Sequence, residues 1–297
     1  MAAFSALLAA LVVGHEFVSD EAQNSPASTQ MRGGALAKQL EVHFIDVEHG
    51  DSILLRCEGQ DMLIDGGHYK QGNTVARYLR DSHVSHLQHL VCTHEHYDHV
   101  GGLLKVLPLV TMNKVYAPVK RAPDHPWFNS FAQSVEERGL DIEIPEFGSV
   151  MRLGSAQLKV VGPINYDTPP NHVENNHSIV LRVTYGKNSM LLTADSEEYA
   201  HKAMLESGVE LASDVVKVAH HGIRQNKPGD KAFYKAVAPK YAVLSGANNT
   251  ARKSQPIEQS LRDSGVDLWL TRESGNVVFT SDGNSWKVKG SKKLLGD

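Results

Sequence analysis

Short apolar runs alternate with amphipathic segments along most of the chain, a pattern that predicts strands alternating with helices. In the first half, glycine-containing turns separate most of the apolar runs. Strands are predicted at residues 40–46, 52–57, 61–65, 89–92, 114–117, 141–144, 150–153 and 157–161. Helices are predicted at residues 74–82, 101–107 and 127–138.

The second half mirrors this order. Strands are predicted at residues 179–185, 189–194, 215–219, 241–244 and 267–270, and helices at 197–206, 230–237 and 255–264. A last hairpin, 277–280 with 285–289, turns at Asp282-Gly283-Asn284. The polar motifs described next follow the ends of predicted strands, where loops held by a rigid sheet usually carry functional groups.

The most informative motif is residues 93–99, THEHYDH, which follows an apolar run. His94 and His96 project to the same side of an extended loop, because side chains alternate with a period of two. Asp98 and His99 can turn toward a second point nearby. Imidazole and carboxylate groups are preferred ligands of zinc, and also of manganese or iron. The motif therefore predicts two adjacent metal ions rather than a loop rich in histidine by chance.

Together with five other segments, this run resembles the metallo-β-lactamase superfamily, and within it the soluble hydrolase domain of the competence protein ComEC and its free-standing relatives. The five segments are 44–52 (FIDVEHGDS), 63–67 (LIDGG), 178–182 (SIVLR), 191–195 (LLTAD) and 216–222 (VKVAHHG). The resemblance covers about residues 40–290. It implies an α+β fold, a four-layer αββα sandwich, with a one- or two-metal hydrolytic site between the sheets. The first segment departs from these relatives, which usually have Gly-Gln where this chain has Glu48-His49.

The resemblance also implies a set of metal ligands. His94 and His96 would bind the first ion, Asp98 and His99 the second, and Asp195 would bridge the two. Asp98 would in addition orient the attacking water.

A pair of adjacent histidines would complete the second site. One of His220 and His221 would bind metal, and the other would contact the substrate or support a ligand. The sequence leaves open which is which. A histidine of this pair, or His177, would protonate the leaving oxygen.

The chain lacks the Gly-His-Ser/Thr segment that normally gives the first metal a third imidazole. Residues 172–178 (HVENNHS) stand in its place. Either an amide oxygen of Asn175 or Asn176 approaches the metals, or His177 is a ligand peculiar to this chain, or these residues only cap the following strand. An oxygen-rich first site makes manganese a competitor of zinc. The predicted cofactors are therefore two divalent metal ions, Zn or Mn.

Two such ions activate a water and neutralise the charge that develops on the attacked oxygen, so no serine or cysteine nucleophile is required. The resemblance implies a metal-dependent hydrolase, most specifically a ComEC-like phosphodiesterase or nuclease acting on DNA. Because one fold can host many reactions, a small-molecule ester, lactone or thioester hydrolase is the first alternative. A non-catalytic metal-binding module is the second.

The formal net charge of −4 excludes a broad electrostatic attraction for a polyanion. Contacts to DNA must then be local. The candidates are Lys114, Lys120 and Arg121 on one side, and Arg224 and Lys227 after the histidine pair. Their alternative role is a solvated rim.

Several other polar and aromatic residues have supporting or ambiguous roles. Tyr97, Trp127 and Phe128 either line the cleft or belong to the core. The remaining expectations are turn-stabilising or ligand-supporting roles for Asp46, Asp51 and Asp65, surface positions for His83, His86 and His89, and small buried side chains at Cys57 and Cys92.

Composition is ordinary for a soluble globular protein, with 41% hydrophobic and 22% charged residues. Residues 39–297 are predicted to form one hydrolase domain, because two-sheet sandwiches often take about 200–250 residues as one unit. Residues 1–38 are predicted to be a leader or linker. Their apolar stretch resembles a secretion signal but is too short to span a membrane. A secreted or envelope location is thus as well supported as a cytoplasmic one, and no oligomeric state follows from the sequence.

Overall fold

Two mixed β-sheets form the centre of the protein in a computed structural model that describes residues 38–166 and 173–292. The strands are β1 (Leu40–Phe44), β2 (Ile53–Cys57), β3 (Gln60–Ile64), β4 (His86–Val91), β5 (Thr111–Tyr116), β6 (Ile142–Glu143), β7 (Val150–Leu153), β8 (Ala156–Gly162), β9 (Val180–Tyr185), β10 (Asn188–Leu192), β11 (Val215–Lys217), β12 (Tyr241–Leu244), β13 (Asp267–Leu270), β14 (Val277–Ser281) and β15 (Trp286–Gly290).

Helices cover the outer faces of both sheets. They are α1 (Gly72–Asp81), α2 (Tyr97–Val100), α3 (Leu103–Val106), α4 (Pro126–Glu136), α5 (Val173–Asn176), α6 (Glu198–Glu206), α7 (Pro228–Val237), α8 (Ala251–Asp263) and α9 (Thr271–Ser274). Short 3-10 turns occur at Tyr69–Gln71, Leu107–Leu109 and Ala219–Gly222.

Each sheet has an antiparallel half and a parallel half. The first has the order β15-β14-β1-β2-β3-β4-β5-β6, and the second has the order β13-β12-β11-β10-β9-β8-β7. In the first sheet the parallel pairs begin between β3 and β4, and in the second between β10 and β11. The loops at the carboxyl ends of these strands carry the predicted metal motifs.

Alternation along the strands divides the core into layers. In β2, Ile53 and Leu55 point into the apolar cluster between the sheets, whereas Leu54 packs toward α1, α3 and α4. On the other side of the molecule, apolar residues of α6, α7 and α8 cover the second sheet. Two packed sheets between two helical layers confirm the predicted αββα sandwich.

Most predicted elements are present with shifted ends. The strand β4 begins at His86 rather than at residue 89, because His86 and Leu87 pair with β5 in register. The helix α8 begins at Ala251 rather than at residue 255. In the described part of the chain, no helix has both the length and the apolar character of a membrane span.

One surface expectation was wrong. His83 and His86 are exposed as expected, but His89 is buried, and its Nε2 donates a hydrogen bond to the carbonyl oxygen of Arg152 over 2.9 Å. Cys57 and Cys92 are buried free thiols, as expected. The predicted leader lies outside the described residues except for Lys38, so the boundary at residue 38 stays a prediction.

Candidate metal centre

Three parallel strand ends bring the predicted ligands together. The 93–99 loop follows β4, Asp195 follows β10, and the 219–222 turn follows β11. The resulting histidine–aspartate cluster consists of His94, His96, Asp98, His99, Asp195, His220 and His221.

His94 and His96 present nitrogens to one point. Nε2 of His94 lies 3.1 Å from Nδ1 of His96 and 3.9 Å from Oδ2 of Asp195. Burial lowers the pKa of both imidazoles, and that of His94 falls well below its ordinary value. Both rings are therefore neutral near pH 7, the state in which a histidine binds metal.

A second group of donors adjoins the first. One ligand atom each from Asp98, His99 and His221 lies within 4.8 Å of the others. The Asp195 carboxylate lies beside this group, because its Oδ2 is 3.3 Å from Nε2 of His99 and 3.4 Å from Nε2 of His221. Asp195 thus lies between the two groups of donors, as the bridging role requires.

Buried atoms of this cluster lack hydrogen-bond partners. Nε2 of His99, Nε2 of His221 and Oδ1 of Asp195 are buried without one. Leaving such a group unsatisfied costs about 1–3 kcal/mol, and more for a charged group. Divalent cations would satisfy all three atoms, so the donor set fits metal ions.

The opposite nitrogens of two rings are fixed by the protein. Nδ1 of His99 donates to Oδ2 of Asp65 over 2.8 Å, and Nδ1 of His221 donates to the carbonyl oxygen of Ser245 over 3.2 Å. When each ring is neutral, this leaves its Nε2 with the lone pair, the usual arrangement for a metal-binding histidine.

Neighbouring charges decide the direction in which the pKa values of His99 and Asp98 shift. Burial opposes the charged form of His99, but the carboxylates of Asp195 and Asp65 outweigh it and raise its pKa well above the ordinary value. Burial also opposes the charged form of Asp98, and there a hydrogen bond from His49 with the nearby His99 and His221 lowers the pKa far below its usual range. Metal binding would therefore displace a proton from His99.

Asp65 supports the 93–99 loop, as expected. Besides His99, its carboxylate accepts hydrogen bonds from the backbone nitrogen of Thr93 at 2.8 Å and from the Thr93 hydroxyl at 2.7 Å. It therefore joins β3 to the loop after β4.

A buried lysine that was not predicted from the sequence lies beneath the cluster. Lys217, with 0% of its side chain exposed, forms an ion pair with Asp51 and donates to the carbonyl oxygen of Ala194 over 2.8 Å. Its Nζ is also 3.6 Å from Oδ1 of Asp195. Burial opposes the charge, but Asp51 and Asp195 outweigh it and raise the pKa of Lys217. The sequence signal was a lysine among the valines of a strand buried on both faces.

The turn at 219–222 separates the two adjacent histidines. His220 and His221 both have left-handed backbone angles, with φ of 47° and 53°. Nε2 of His220 lies 3.9 Å from Oδ2 of Asp195, and its Nδ1 lies 3.0 Å from Oε1 of Glu197. His221 is buried with the second group of donors, whereas His220 lines a cavity above the cluster.

His49 is a second residue whose role was not predicted from the sequence. Its Nε2 lies 3.0 Å from Oδ2 of Asp98, and about a third of its side chain is exposed. The sequence signal was the departure from Gly-Gln at Glu48-His49.

Of the three candidates in the 172–178 stretch, the structure brings one to the cavity. Asn175 lines the cavity, donates to Oε1 of Glu197 over 2.9 Å, and has a buried Oδ1 without a hydrogen-bond partner. Oδ1 of Asn176 instead accepts from the backbone nitrogen of Ala200. His177 packs edge-on against Tyr166, with ring centroids 5.4 Å apart. The last residue of α5 and the residue after it therefore point elsewhere, and Asn176 and His177 are not brought to the cluster.

The cavity above the cluster, here called the site cavity, has a volume of about 1130 Å³. Its lining includes His49, His96 and His220 from the site, and Tyr97. Phe128, by contrast, is fully buried in the core. Lys70, Arg224 and Lys253 also line the site cavity.

A family model described as the metallo-beta-lactamase superfamily matches residues 45–227. The chain is 26% identical over 264 residues to ComE operon protein 3 of Bacillus subtilis, an alignment that covers 82% of this chain and 33% of that protein. It is 25% identical over 212 residues to Recombination protein 2 of Haemophilus influenzae, an alignment that covers 69% of this chain and 24% of that protein. The chain therefore spans a third or less of the length of these curated relatives.

Solved structures share the fold at low identity. YhfI from Bacillus subtilis, a metallo-beta-lactamase fold protein, aligns with a TM-score of 0.55 at 12% identity, covering 82% of this chain and 100% of that one. CmlA, a diiron beta-hydroxylase from Streptomyces venezuelae, aligns with a TM-score of 0.52 at 14% identity. This alignment covers 78% of this chain and 53% of that one. Because the family model matches more than half of the chain, and because the fold agrees, the protein belongs to the metallo-β-lactamase superfamily.

Proposed function

We propose that the protein is a two-metal phosphodiesterase that hydrolyses nucleic acid. The observation that carries this proposal is the set of buried, unpartnered ligand atoms on His99, Asp195 and His221 beneath an open cavity. The superfamily consists largely of metal-dependent hydrolases. The curated relatives are named for the ComE operon and for recombination, and recombination acts on DNA.

The first ion would be held by His94 and His96 together with Asp195. His220 would supply the third imidazole that the missing Gly-His-Ser/Thr segment normally gives, because its Nε2 is as close to Asp195 as that of His94. Asn175 would add an amide oxygen from the cavity side. An oxygen donor in this site favours manganese as well as zinc.

The second ion would be held by Asp98, His99 and His221, with Asp195 shared between the two sites. When bound, two such ions activate a water and stabilise the charge that develops on the attacked phosphoryl oxygen. Asp98 would orient that water, and His49 holds Oδ2 of Asp98 by a hydrogen bond at the edge of the site cavity. Lys217 keeps a positive charge beneath Asp195 and Asp51, so these two carboxylates can both lie buried below the cluster.

The shared fold alone does not specify hydrolysis, since one of the similar structures is a diiron beta-hydroxylase. The test is hydrolysis of bis(p-nitrophenyl) phosphate and of DNA by the full chain with manganese or zinc. We expect metal-dependent cleavage that is lost in Asp98→Ala and His99→Ala and kept in His86→Ala, a substitution on the exposed end of β4.

Two other results would contradict the proposal. Two bound ions without cleavage of either phosphodiester would point to the alternative, a lactone or thioester hydrolase of the same fold. No bound metal after purification would favour a non-catalytic module.

A further inference from the structure

Three basic side chains from separate parts of the chain line the site cavity. Lys70 belongs to the 3-10 turn Tyr69–Gln71 after β3, Arg224 follows the 219–222 turn, and Lys253 lies in α8. Their elements meet around the cluster, where α8 packs against Gly222 and the Tyr69 turn packs against Gly101.

The two lysines of this set are poorly neutralised by protein carboxylates. Within the described residues, neither Lys70 nor Lys253 forms an ion pair within 4.0 Å, and among the residues that line the cavity the carboxylate belongs to Glu48. Nη1 of Arg224 lies 3.6 Å from Oε1 of Glu197, the same oxygen that lies 3.0 Å from Nδ1 of His220. A protein with a net charge of −4 thus has a locally positive cavity over its metal site.

The other basic candidates behave differently. Lys114, Lys120 and Arg121 form ion pairs with Glu143, Asp141 and Glu136. None of these six residues lines the site cavity. They are ordinary surface pairs and give a matched set of three control cations.

The size and aromatic lining of the cavity indicate the form of the ligand. Its volume of about 1130 Å³ exceeds the range of roughly 300–1000 Å³ that suits single small molecules. Tyr97, with 49% of its surface exposed, lines it, and the ring of His68 contacts Tyr97 edge-on. Exposed aromatic rings beside cations are a common way to bind unpaired bases, which a duplex keeps stacked inside.

We infer that Lys70, Arg224 and Lys253 bind phosphates flanking the reacting phosphodiester of a single nucleic-acid strand, and that Tyr97 stacks on one of its bases. The inference rests on the proposed function and specifies its substrate as an extended single strand. The metals then act on one phosphodiester, while the basic residues set which chain lengths bind.

The first test is the binding of a fluorescein-labelled oligo-dT to the full chain, measured by fluorescence anisotropy over a series of salt concentrations. Asp98→Ala serves as the background, so that the strand stays intact. Each lost phosphate contact lowers the salt slope by about 0.7 for a single strand, so K70A/R224A/K253A should lower it by about 2. The matched control K114A/K120A/R121A, with the same change in charge, should leave both slope and affinity unchanged.

Two further variants keep the test decisive if the triple variant folds poorly. K70A/K253A retains Arg224 and its contact with Glu197, and we expect the slope to fall by about 1.4. Tyr97→Ala should weaken binding of the strand roughly tenfold and leave the salt slope unchanged, because base stacking involves no phosphate charge. A duplex of the same length should bind more weakly than the strand, and equal binding would overturn the single-strand assignment.

Activity separates failure of this inference from failure of the proposed function. The control K114A/K120A/R121A should keep kcat/KM for bis(p-nitrophenyl) phosphate and KM for the strand within about twofold of wild type. K70A/K253A should raise KM for the strand about tenfold. Normal DNA binding and a normal salt slope in this variant, with cleavage intact, would overturn the inference alone. Absence of all cleavage together with the predicted loss of binding would overturn the hydrolase and leave the strand-binding surface.

Discussion

His99 and Asp65 are joined by a hydrogen bond of 2.8 Å on the side of the imidazole that faces away from the cluster. Because Asp65 is itself fixed by Thr93, this bond sets both the tautomer and the orientation of the ring. The metal-facing Nε2 of His99 therefore depends on a residue that touches no metal.

Replacing this carboxylate should weaken metal binding without unfolding the protein. In Asp65→Asn, the amide oxygen can still accept from the backbone nitrogen of Thr93, but the amide nitrogen cannot accept from Nδ1 of His99. We expect a 10- to 100-fold loss of metal affinity, a range of about 1.4–2.7 kcal/mol, in a competition titration with a chelating dye. Asp61→Asn, in the partly buried pair with Arg56 away from the cluster, is the control. Equal affinities in the two variants would refute the supporting role of Asp65.

The buried pair of Lys217 and Asp51 should be costly to break from one side. Lys217→Met leaves Asp51 as an uncompensated buried charge, so we expect about 3–5 kcal/mol of lost stability in urea unfolding with chelator present. Adding Asp51→Asn should recover part of the loss, because it removes the orphaned charge. Lys114→Met removes a lysine from an exposed pair and should change stability by less than about 1 kcal/mol. Strictly additive effects of the two buried substitutions would show that the pair is not coupled.

Local patterns in the sequence predicted most of the strands and helices, and the resemblance to the metallo-β-lactamase superfamily supplied the prediction of four layers. The alternation of Ile53 and Leu55 with Leu54 assigns each to one face of a strand, and the structure places them in two different clusters. The start of β4 was missed because His86 is exposed and carries no hydrophobic signal. It joins the strand through its pairing with Thr111, a partner set by the tertiary fold.

The site was predictable where its ligands are close in sequence and unpredictable where they are not. His94, His96, Asp98 and His99 lie in a single loop, so their spacing alone indicated a metal site. The ion pair of Lys217 with Asp51 connects segments that belong to different sheets, and neither segment by itself indicates the pair. Neither could the sequence distinguish Asn175 from its neighbours, because the orientation of α5 decides which of these side chains reaches the cavity.

Stability should decrease in mild acid because of a buried histidine outside the metal site. His201 donates from Nδ1 to Asp230 over 2.9 Å, and its Nε2 accepts from the Ser196 hydroxyl over 3.1 Å. Its ring also stacks on Phe233. Burial is the largest influence and lowers the pKa of His201 in spite of Asp230.

The lowered pKa fixes the sign of this effect. Below about pH 6.5, His201 binds a proton in the unfolded chain but resists protonation in the folded state. Its full contribution to the free energy of unfolding is therefore present above that pH and is lost as the pH falls. We expect His201→Gln to flatten the dependence of unfolding free energy on pH between about pH 5 and 7, by up to about 1.4 kcal/mol per pH unit. His86→Gln, on an exposed residue, should keep the wild-type curve. Parallel curves for wild type and His201→Gln would refute the assignment.

The two adjacent histidines should be separable by metal content. Because His221 lies with Asp98 and His99, His221→Ala should remove the second ion and leave roughly one per chain by elemental analysis. His220→Ala should weaken the first ion instead, since its ring approaches Asp195 from the cavity side.

Chelation gives an independent measure of the same assignment. At a metal concentration about 100 times Kd, bound metal stabilises the fold by about 2.7 kcal/mol per site, so with two sites EDTA should lower the Tm of the wild-type protein by roughly 10–20 °C. The shift should shrink in His221→Ala, because one of the two sites no longer contributes, and should stay complete in His86→Ala. If His221→Ala kept two ions and the full chelator shift, Nε2 of His221 would not be a ligand, and its burial without a partner would need another explanation.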